Sequence, residues 1–453
     1  MTLPAFAGGD LVTLPTAPQS LRDRALADDV RFILAVFVDL NGKPCAKLVP
    51  ISAADELEAG ELGFAGFAAG LIGQHPHDSD LIAVPDLDSY APIPFVREGL
   101  AIVHCDPYVD GEPWPYAPRV ILKRALARLA ERGLSAKVGA EVEYFLVDRD
   151  ESGRLSAADA KDEGLRSCYD ARGVTRMYDH LAAVSDAMNA LGWGNYANDH
   201  EDAPGQFEQN FAYDEALVTA DRVITLRYLI GMLAEQRGMT ATFMPKPFSD
   251  RAGNGLHFHL SLWDGGTPVF PDASDGRGLG LSDVAYSFVG MLDHAPGLQL
   301  FLAPSVNSYK RRGATTSASG ATWSPKHATY GGNDRTHFIR VPDGNRIELR
   351  AADGSANPYL ALAAVVHAGL DGIEQGSDPG DPCGPGEFRE SSAVLPRTLL
   401  HAVQSLRDDA VLREAIGAGR GVGEYFADAK EDEFLGWHNT VTEWELDRYL
   451  TAY

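Results

Sequence analysis

The chain is short of positive charge. Lys and Arg together number 39 against 64 Asp and Glu, a formal net charge of −25 over 453 residues with a pI near 4.8. A surface this acidic repels nucleic acid and anionic membrane, so neither is an expected partner. Cysteine is scarce as well. Cys45, Cys105, Cys168 and Cys383 lie far apart with no Cys-x-x-Cys spacing, which argues against a disulfide framework and leaves reduced, mostly buried thiols of a cytoplasmic protein as the expectation. No apolar run is long enough to span a bilayer, no internal repeat is visible, and the N-terminus has no basic leader, so no signal peptide is expected. What is present is globular: 45% hydrophobic and 23% charged residues. The length exceeds one ordinary core and predicts two domains.

Residues 1–17 read as a loose arm. Residues 18–113 read as a small sheet domain: a short helix near 20–29, then the apolar strand 32–38, an Asn41-Gly42 hairpin signal and a return strand at 46–49. Residues 61–73, rich in Gly, Ala and Phe, read as a mobile or interface loop, and 80–84 and 101–105 as further strands. Prolines at 113, 115 and 118 mark a joint. Residues 118–453 read as a larger α+β domain, with helices predicted at 119–132, 175–191 and 217–237 and a further helix N-capped by Asn357 with Pro358 at its first position.

The chemistry sits on four period-two stretches. His257, His259 and Ser261 alternate with Phe258, Leu260 and Leu262; Glu141 and Glu143 with Val142 and Tyr144; Gln206, Glu208 and Asn210 with Phe207 and Phe211; Arg346, Glu348 and Arg350 with Ile347 and Leu349. Each is a strand with one apolar and one polar face. Together they predict one antiparallel sheet, its apolar face on helices and its polar face lining a cleft. Such a wall of carboxylates needs cations to offset its own repulsion. Carboxylate-rich ligation with little imidazole and no thiolate favours Mg²⁺ or Mn²⁺ over zinc. Ahead of the His strand, Gly253-Asn254-Gly255 suits close approach of backbone to a ligand or a positive φ. Any one such segment alone reads as a half-solvated strand; co-occurrence gives them weight.

The blocks Glu141-Val142-Glu143-Tyr144-Phe145, Asp199-His200-Glu201, Gly205-Gln206-Phe207-Glu208, MPKPF at 244–248, GNGLHFHLS at 253–261, Asn307-Ser308-Tyr309-Lys310-Arg311, Asn333-Asp334-Arg335, Ile339-Arg340, RIELR at 346–350 and Ala356-Asn357-Pro358-Tyr359 occur in one order. In them the chain resembles the glutamine synthetase superfamily from about residue 27 to its end. The resemblance implies a β-grasp-like N-terminal domain, a catalytic domain whose sheet forms half of an inter-subunit funnel, and a homo-oligomer of stacked rings, most often a dodecamer. It implies ATP as co-substrate, glutamate as substrate and two or three Mg²⁺ or Mn²⁺ ions per site. Carried over by motif, Glu143, Glu201 and Glu208 would hold one ion and Glu141, His257 and Glu348 the second. Gly253 would meet glutamate through its backbone, and Arg311 and Arg350 would grip its carboxylates. Arg335 and Arg340 would neutralise the transferring phosphoryl group, with Arg350 beside them, and His259, Ser261 and Arg346 would face the nucleotide. Paired cations and arginines are what phosphoryl transfer requires, and the guanidinium fork suits carboxylate and phosphate.

Two departures bear on the amine. Ammonia-using members carry an aspartate where Ala65 stands and a flap glutamate where Trp323 stands. Losing both acids and gaining an indole predicts a small alkylamine acceptor, methylamine first, held against Trp323 by cation–π contact; this resembles the family branch that ligates glutamate to methylamine. Ala252 also replaces an asparagine of the family's glutamate loop. The alternatives are an ammonia-using member, a ligase for a larger amine such as ethanolamine or a polyamine, a guanidino kinase sharing the sheet, and a non-enzymatic relative. The last is disfavoured because all six ligand positions are kept.

Overall fold

The apolar run Phe32–Val38 forms the strand about which the smaller sheet is laid. It pairs antiparallel with Pro44–Pro50 across the Asn41-Gly42 turn, where Gly42 takes φ +80°, and parallel with Leu100–Val109. Leu81–Pro85 and Gly63–Phe64 complete the sheet's path beyond Leu100–Val109. The helix Leu21–Ala27 begins at Ser20, whose hydroxyl accepts from the Asp23 amide at 3.1 Å, and buries Leu21 and Ala25 in this sheet's core. The expected loop at 61–73 has structure of its own: the two-residue strand Gly63–Phe64, then a helical turn, Gly66–Ala69, with Ala65 between them. The computed structural model describes residues 20–149, 152–164, 167–313, 323–417 and 419–453. The expected arm at 1–17 lies outside the described residues.

The larger sheet is built on the sixteen-residue strand Leu134–Arg149. Its path runs Asn195–His200, Gln206–Phe211, Leu134–Arg149, Leu256–Asp264, Arg346–Leu349, Ile339–Asp343, Tyr330–Gly331. Every pair on that path is antiparallel except the last. Thus the four stretches of alternating polarity are four consecutive neighbours. Their apolar residues Val142, Tyr144, Phe207, Phe211, Phe258, Leu260 and Ile347 are buried in one cluster with the helices Pro118–Ala130, Ala216–Glu235 and Pro358–Gln375. Burying a large side chain of this kind contributes about 1.5–3 kcal/mol, so register is firmly set. A one-residue slip would turn every carboxylate into the core.

The two sheets are tied together by buried polar contacts. Arg119 meets Asp221 at 2.9 Å, Asp106 at 2.8 Å and Asp86 at 2.8 Å. Tyr359 donates to Asp221 at 2.6 Å, and His104 shares a hydrogen with Thr225 at 2.8 Å. Asn357 caps its helix by accepting from the Tyr359 amide at 3.1 Å, while its amide nitrogen donates to the carbonyls of Asp39 and Leu40 at 3.1 and 3.3 Å. Among the described residues no helix is long and apolar enough to cross a membrane.

Candidate active site

Strand register assembles the site. Glu208 lies opposite Glu143, Asn210 and His257 flank Glu141 from either side, and His259 lies opposite Glu348. The side chains converge accordingly. His257 stands 3.0 Å from Glu141 Oε2 through Nδ1, 3.7 Å from Glu143 through Nε2 and 3.8 Å from Glu348. Donor atoms of Glu141, His257 and Glu348 all lie within 4.8 Å of one another, and so do those of Glu143, Glu208 and His257. Glu201 falls instead into a third group with Cys168 and Asp202. It is next to Glu143 electrostatically but leaves the strand just after His200, where the chain turns back.

The Gly253-Asn254-Gly255 segment packs the floor. Neither glycine has a positive φ; what each requires is room. A Cβ on Gly253 would lie 2.2 Å from the Pro245 carbonyl oxygen. One on Gly255 would lie 2.8 Å from His257 Nε2 and 2.9 Å from both Arg311 Nη2 and Glu143 Oε1. The Gly255 amide donates to Glu143 Oε2 at 2.7 Å, and Gln206 donates to the same oxygen at 3.2 Å. Buried Asn254 anchors the loop by donating to the Thr242 and Met244 carbonyls at 3.1 and 3.0 Å.

The charges are unevenly held. Burial opposes ionisation of Glu141, but hydrogen bonds from His257 and His259 outweigh it and hold the carboxyl below its ordinary range. Glu348 is likewise held down against burial by His257, Arg350 and His259. Arg340 donates to it at 2.5 Å, and Arg350 donates to its other oxygen. Glu201 and Glu208 go the other way: burial first, then neighbouring carboxylates, pushes both well above the usual range. The cluster therefore cannot ionise fully on its own, and its donor set of carboxylates with one imidazole fits a hard divalent cation. Glu141, Glu143, Glu201, Glu208, His257 and Glu348 are the residues that could hold such ions.

All of these except the fully buried Glu348 line a cavity of about 420 Å³ together with Gly253, Arg311, Trp323, Arg335, Arg340, Arg346 and Arg350. Arg311 is buried, which lowers its pKa; its hydrogen bond among the described residues goes to the Ala352 carbonyl at 3.4 Å. That leaves guanidinium N–H groups for an anionic ligand. Arg350 donates to the Arg335 carbonyl at 3.0 Å, fixing one arginine against the next. A neighbouring cavity of about 670 Å³ holds His259, Ser261, Trp263 and Lys137, and shares Glu141, Tyr196 and Arg346 with the first. His259 spans the two: it donates from Nε2 to Glu141 at 2.9 Å and accepts on Nδ1 from Arg346 at 3.2 Å.

Ala65 is the one expected site residue that the structure keeps apart, on the smaller sheet and away from both cavities. Trp323 does line the first, 46% exposed; Ala321 and Thr322 beside it lie outside the described residues. The structure adds Cys168, Tyr169, Tyr196, Asp199 and Asp202 to the lining. Residues 168–170 carry no periodicity that could have signalled them. Burial and the charges of Glu201, Asp202 and Asp199 push the Cys168 thiol up to about 12.

Comparison with known proteins bears on this geometry. The sequence profile described as "Glutamine synthetase, catalytic domain" matches residues 115–449. The chain is 41% identical to a glutamine synthetase of Rhizobium leguminosarum bv. phaseoli over 427 residues, 93% of this chain and 97% of the relative. It is 39% identical to a glutamate–methylamine ligase of Methyloversatilis universalis over 444 residues, 96% and 99% of the two chains. A solved structure described as "GmaS/ADP complex-Conformation 1" superposes with a TM-score of 0.89 at 43% identity, covering 95% of this chain and 99% of that one.

Proposed function

The chain belongs to the glutamine synthetase family of ATP-dependent carbon–nitrogen ligases, and from that premise we propose that it joins the γ-carboxylate of L-glutamate to methylamine, giving N5-methyl-L-glutamine, ADP and phosphate. The observation that carries the choice of amine is Trp323, an indole lining the cavity at a position where ammonia-using members carry an acid. A cation meeting an aromatic face gains about 0.5–2 kcal/mol, and a methyl group buried there adds its transfer free energy. The resemblance to a glutamate–methylamine ligase over nearly the whole chain supports the same reading.

Arg311 and Arg350 bind and orient the glutamate carboxylates, and the Gly253 backbone approaches the bound substrate. A γ-carboxylate oxygen attacks the ATP γ-phosphorus, the bond to the ADP oxygen breaks, and γ-glutamyl phosphate forms. Arg335 and Arg340 offset charge on the transferred phosphoryl group. The free amine then attacks the acyl carbon, the carbon–oxygen bond to phosphate breaks, and the nitrogen loses a proton. Divalent cations on the six candidate ligands, Mg²⁺ or Mn²⁺, supply Lewis-acid polarisation and charge neutralisation when bound. His259, Ser261 and Arg346 face the nucleotide. Because Ala65 sits on the smaller sheet, its place beside the amine requires a second copy of the chain, and we assign it to a homo-oligomer of stacked rings with sites between subunits.

Ammonia is the competing acceptor, favoured by the comparable identity to the Rhizobium glutamine synthetase. ADP release with glutamate and a panel of amines decides between them. Methylamine should give the higher kcat/KM; a higher value for ammonia refutes this reading of the pocket. Ala65→Asp combined with Trp323→Glu should move preference toward ammonia.

A further inference from the structure

Strand pairing places Glu141, Glu143, Glu208, His257 and Glu348. Glu201 has no such support. It follows the last residue of Asn195–His200 and opens the turn 201–205 that leads into Gln206–Phe211, yet it lines the cavity. The backbone closes this turn at its base, where the Glu201 amide donates to the Gln206 carbonyl at 2.9 Å. A ligand on a turn is less precisely held than one on a strand unless further contacts lock it.

Those contacts come from a distant piece of chain. After Leu134–Arg149 the chain folds back as Leu155–Ala157, paired with the end of the long strand, and this brings Asp162 to the turn. Asp162 is buried, and its Oδ2 accepts from the residues at both ends of the turn: from His200 Nε2 at 2.8 Å and from the Gly205 amide at 2.5 Å. Its Oδ1 accepts from the Ser167 hydroxyl at 3.2 Å. His200, also buried, passes the hold on, since its Nδ1 donates to the carbonyl of Glu201 itself at 2.8 Å. The ring is boxed in. Phe207 packs on it with centroids 4.8 Å apart, and a Cβ on Gly173 would stand 2.3 Å from its Cδ2. At the far end of the turn Gly205 takes φ +81°, and a Cβ there would lie 2.9 Å from the Ala157 Cβ. Neither Asp162 nor His200 is among the residues lining the cavity, so any effect of theirs on the reaction passes through Glu201.

We propose that Asp162 is the positioning residue for Glu201: through His200 and the Gly205 amide it fixes both ends of the turn, and so holds the Glu201 carboxylate where it can join Glu143 and Glu208 on one ion. This rests on the reading of Glu201 as a metal ligand. The test is calorimetric titration of the full-length protein with Mn²⁺ in the absence of substrates, with Glu201→Gln and Glu348→Gln marking which binding event belongs to which ligand set. Asp162→Ala should weaken the event that Glu201→Gln weakens by roughly 10- to 100-fold, the range for losing a hydrogen bond that orients a metal ligand, and leave the event marked by Glu348→Gln within about threefold. A general loosening of the fold would weaken both events together; that result, or an unchanged titration, overturns the proposal. Asp162→Asn keeps the volume and serves if the Ala variant folds poorly, with the same selective loss expected and the same two results against it. If Glu201→Gln itself leaves both events unchanged, the reading of Glu201 as a ligand falls and the proposal with it. A loss in Glu201→Gln that neither Asp162 variant shares refutes the proposal alone.

Discussion

Adding one methyl group at Gly255 should inactivate the enzyme without unfolding it. The new Cβ would stand 2.8–2.9 Å from His257 Nε2, Arg311 Nη2 and Glu143 Oε1. Carbon contacts relax at about 3.5 Å, so each neighbour must retreat by roughly 0.6 Å. All three are the far ends of side chains, and Gly255 has no positive φ, so the backbone can keep its course. A reactive constellation tolerates only about 0.5 Å of misplacement, and errors near 1 Å cost on the order of 10²-fold. The expected loss in kcat/KM for Gly255→Ala is therefore about 10²-fold, near 2.7 kcal/mol of transition-state stabilisation, with a rise in the Mg²⁺ or Mn²⁺ activation constant. Gly253→Ala is the contrast. Its Cβ would meet the Pro245 carbonyl oxygen at 2.2 Å, a backbone atom that cannot swing aside, so that variant should lose stability as well as activity. Steady-state ADP release, metal titration and thermal melting separate the outcomes. Full activity in Gly255→Ala, or activity lost only in step with stability, refutes the reasoning.

Glu348→Gln leaves Arg340 and Arg350 without their anionic partner and removes a candidate metal ligand; turnover should vanish and metal affinity fall in a calorimetric titration. Arg119→Met strands the carboxylates of Asp86, Asp106 and Asp221, and should cost about 3–5 kcal/mol in denaturant unfolding, as for a broken buried ion pair. Burial alone would raise the Asp86 pKa, but hydrogen bonds and charge from Arg119 and Lys123 bring it down to about 2. A lowered folded-state value means that this contribution is complete above the unfolded pKa, near 3.9, and is lost as pH falls through it toward 2. Acid titration of wild type should therefore show a loss of stability in that window that is smaller in Arg119→Met, where Lys123 alone still holds Asp86 down.

The site was legible wherever a strand writes it with period two. Glu141, Glu143, Glu208, His257 and Glu348 alternate with core residues, so their common face follows from burial of Val142, Phe207, Phe258 and Ile347. The smaller-sheet strand Gly63–Phe64 was not legible, because two residues carry no period; its pairing with Leu81–Pro85 is decided by tertiary contact. Glu201 was placed by motif, but its neighbours Cys168 and Asp202 come from turns, where nothing in sequence marks direction. The Gly253-Asn254-Gly255 segment admitted either positive φ or close approach, and the structure answers with close approach at both glycines. Strand patterning could not reveal that Ala65 lies away from its own chain's cavity, since faces say nothing about which copy they meet.

Asn357 has one side chain serving two masters. Its oxygen begins the helix Pro358–Gln375, which lies beneath the catalytic sheet, and its nitrogen holds the turn after Phe32–Val38. Any hinge motion between the two sheets would have to pull those bonds apart and unwind the start of that helix at the same time. Disturbing the turn at the edge of the small sheet therefore loosens the first turn of the helix under the reaction chamber.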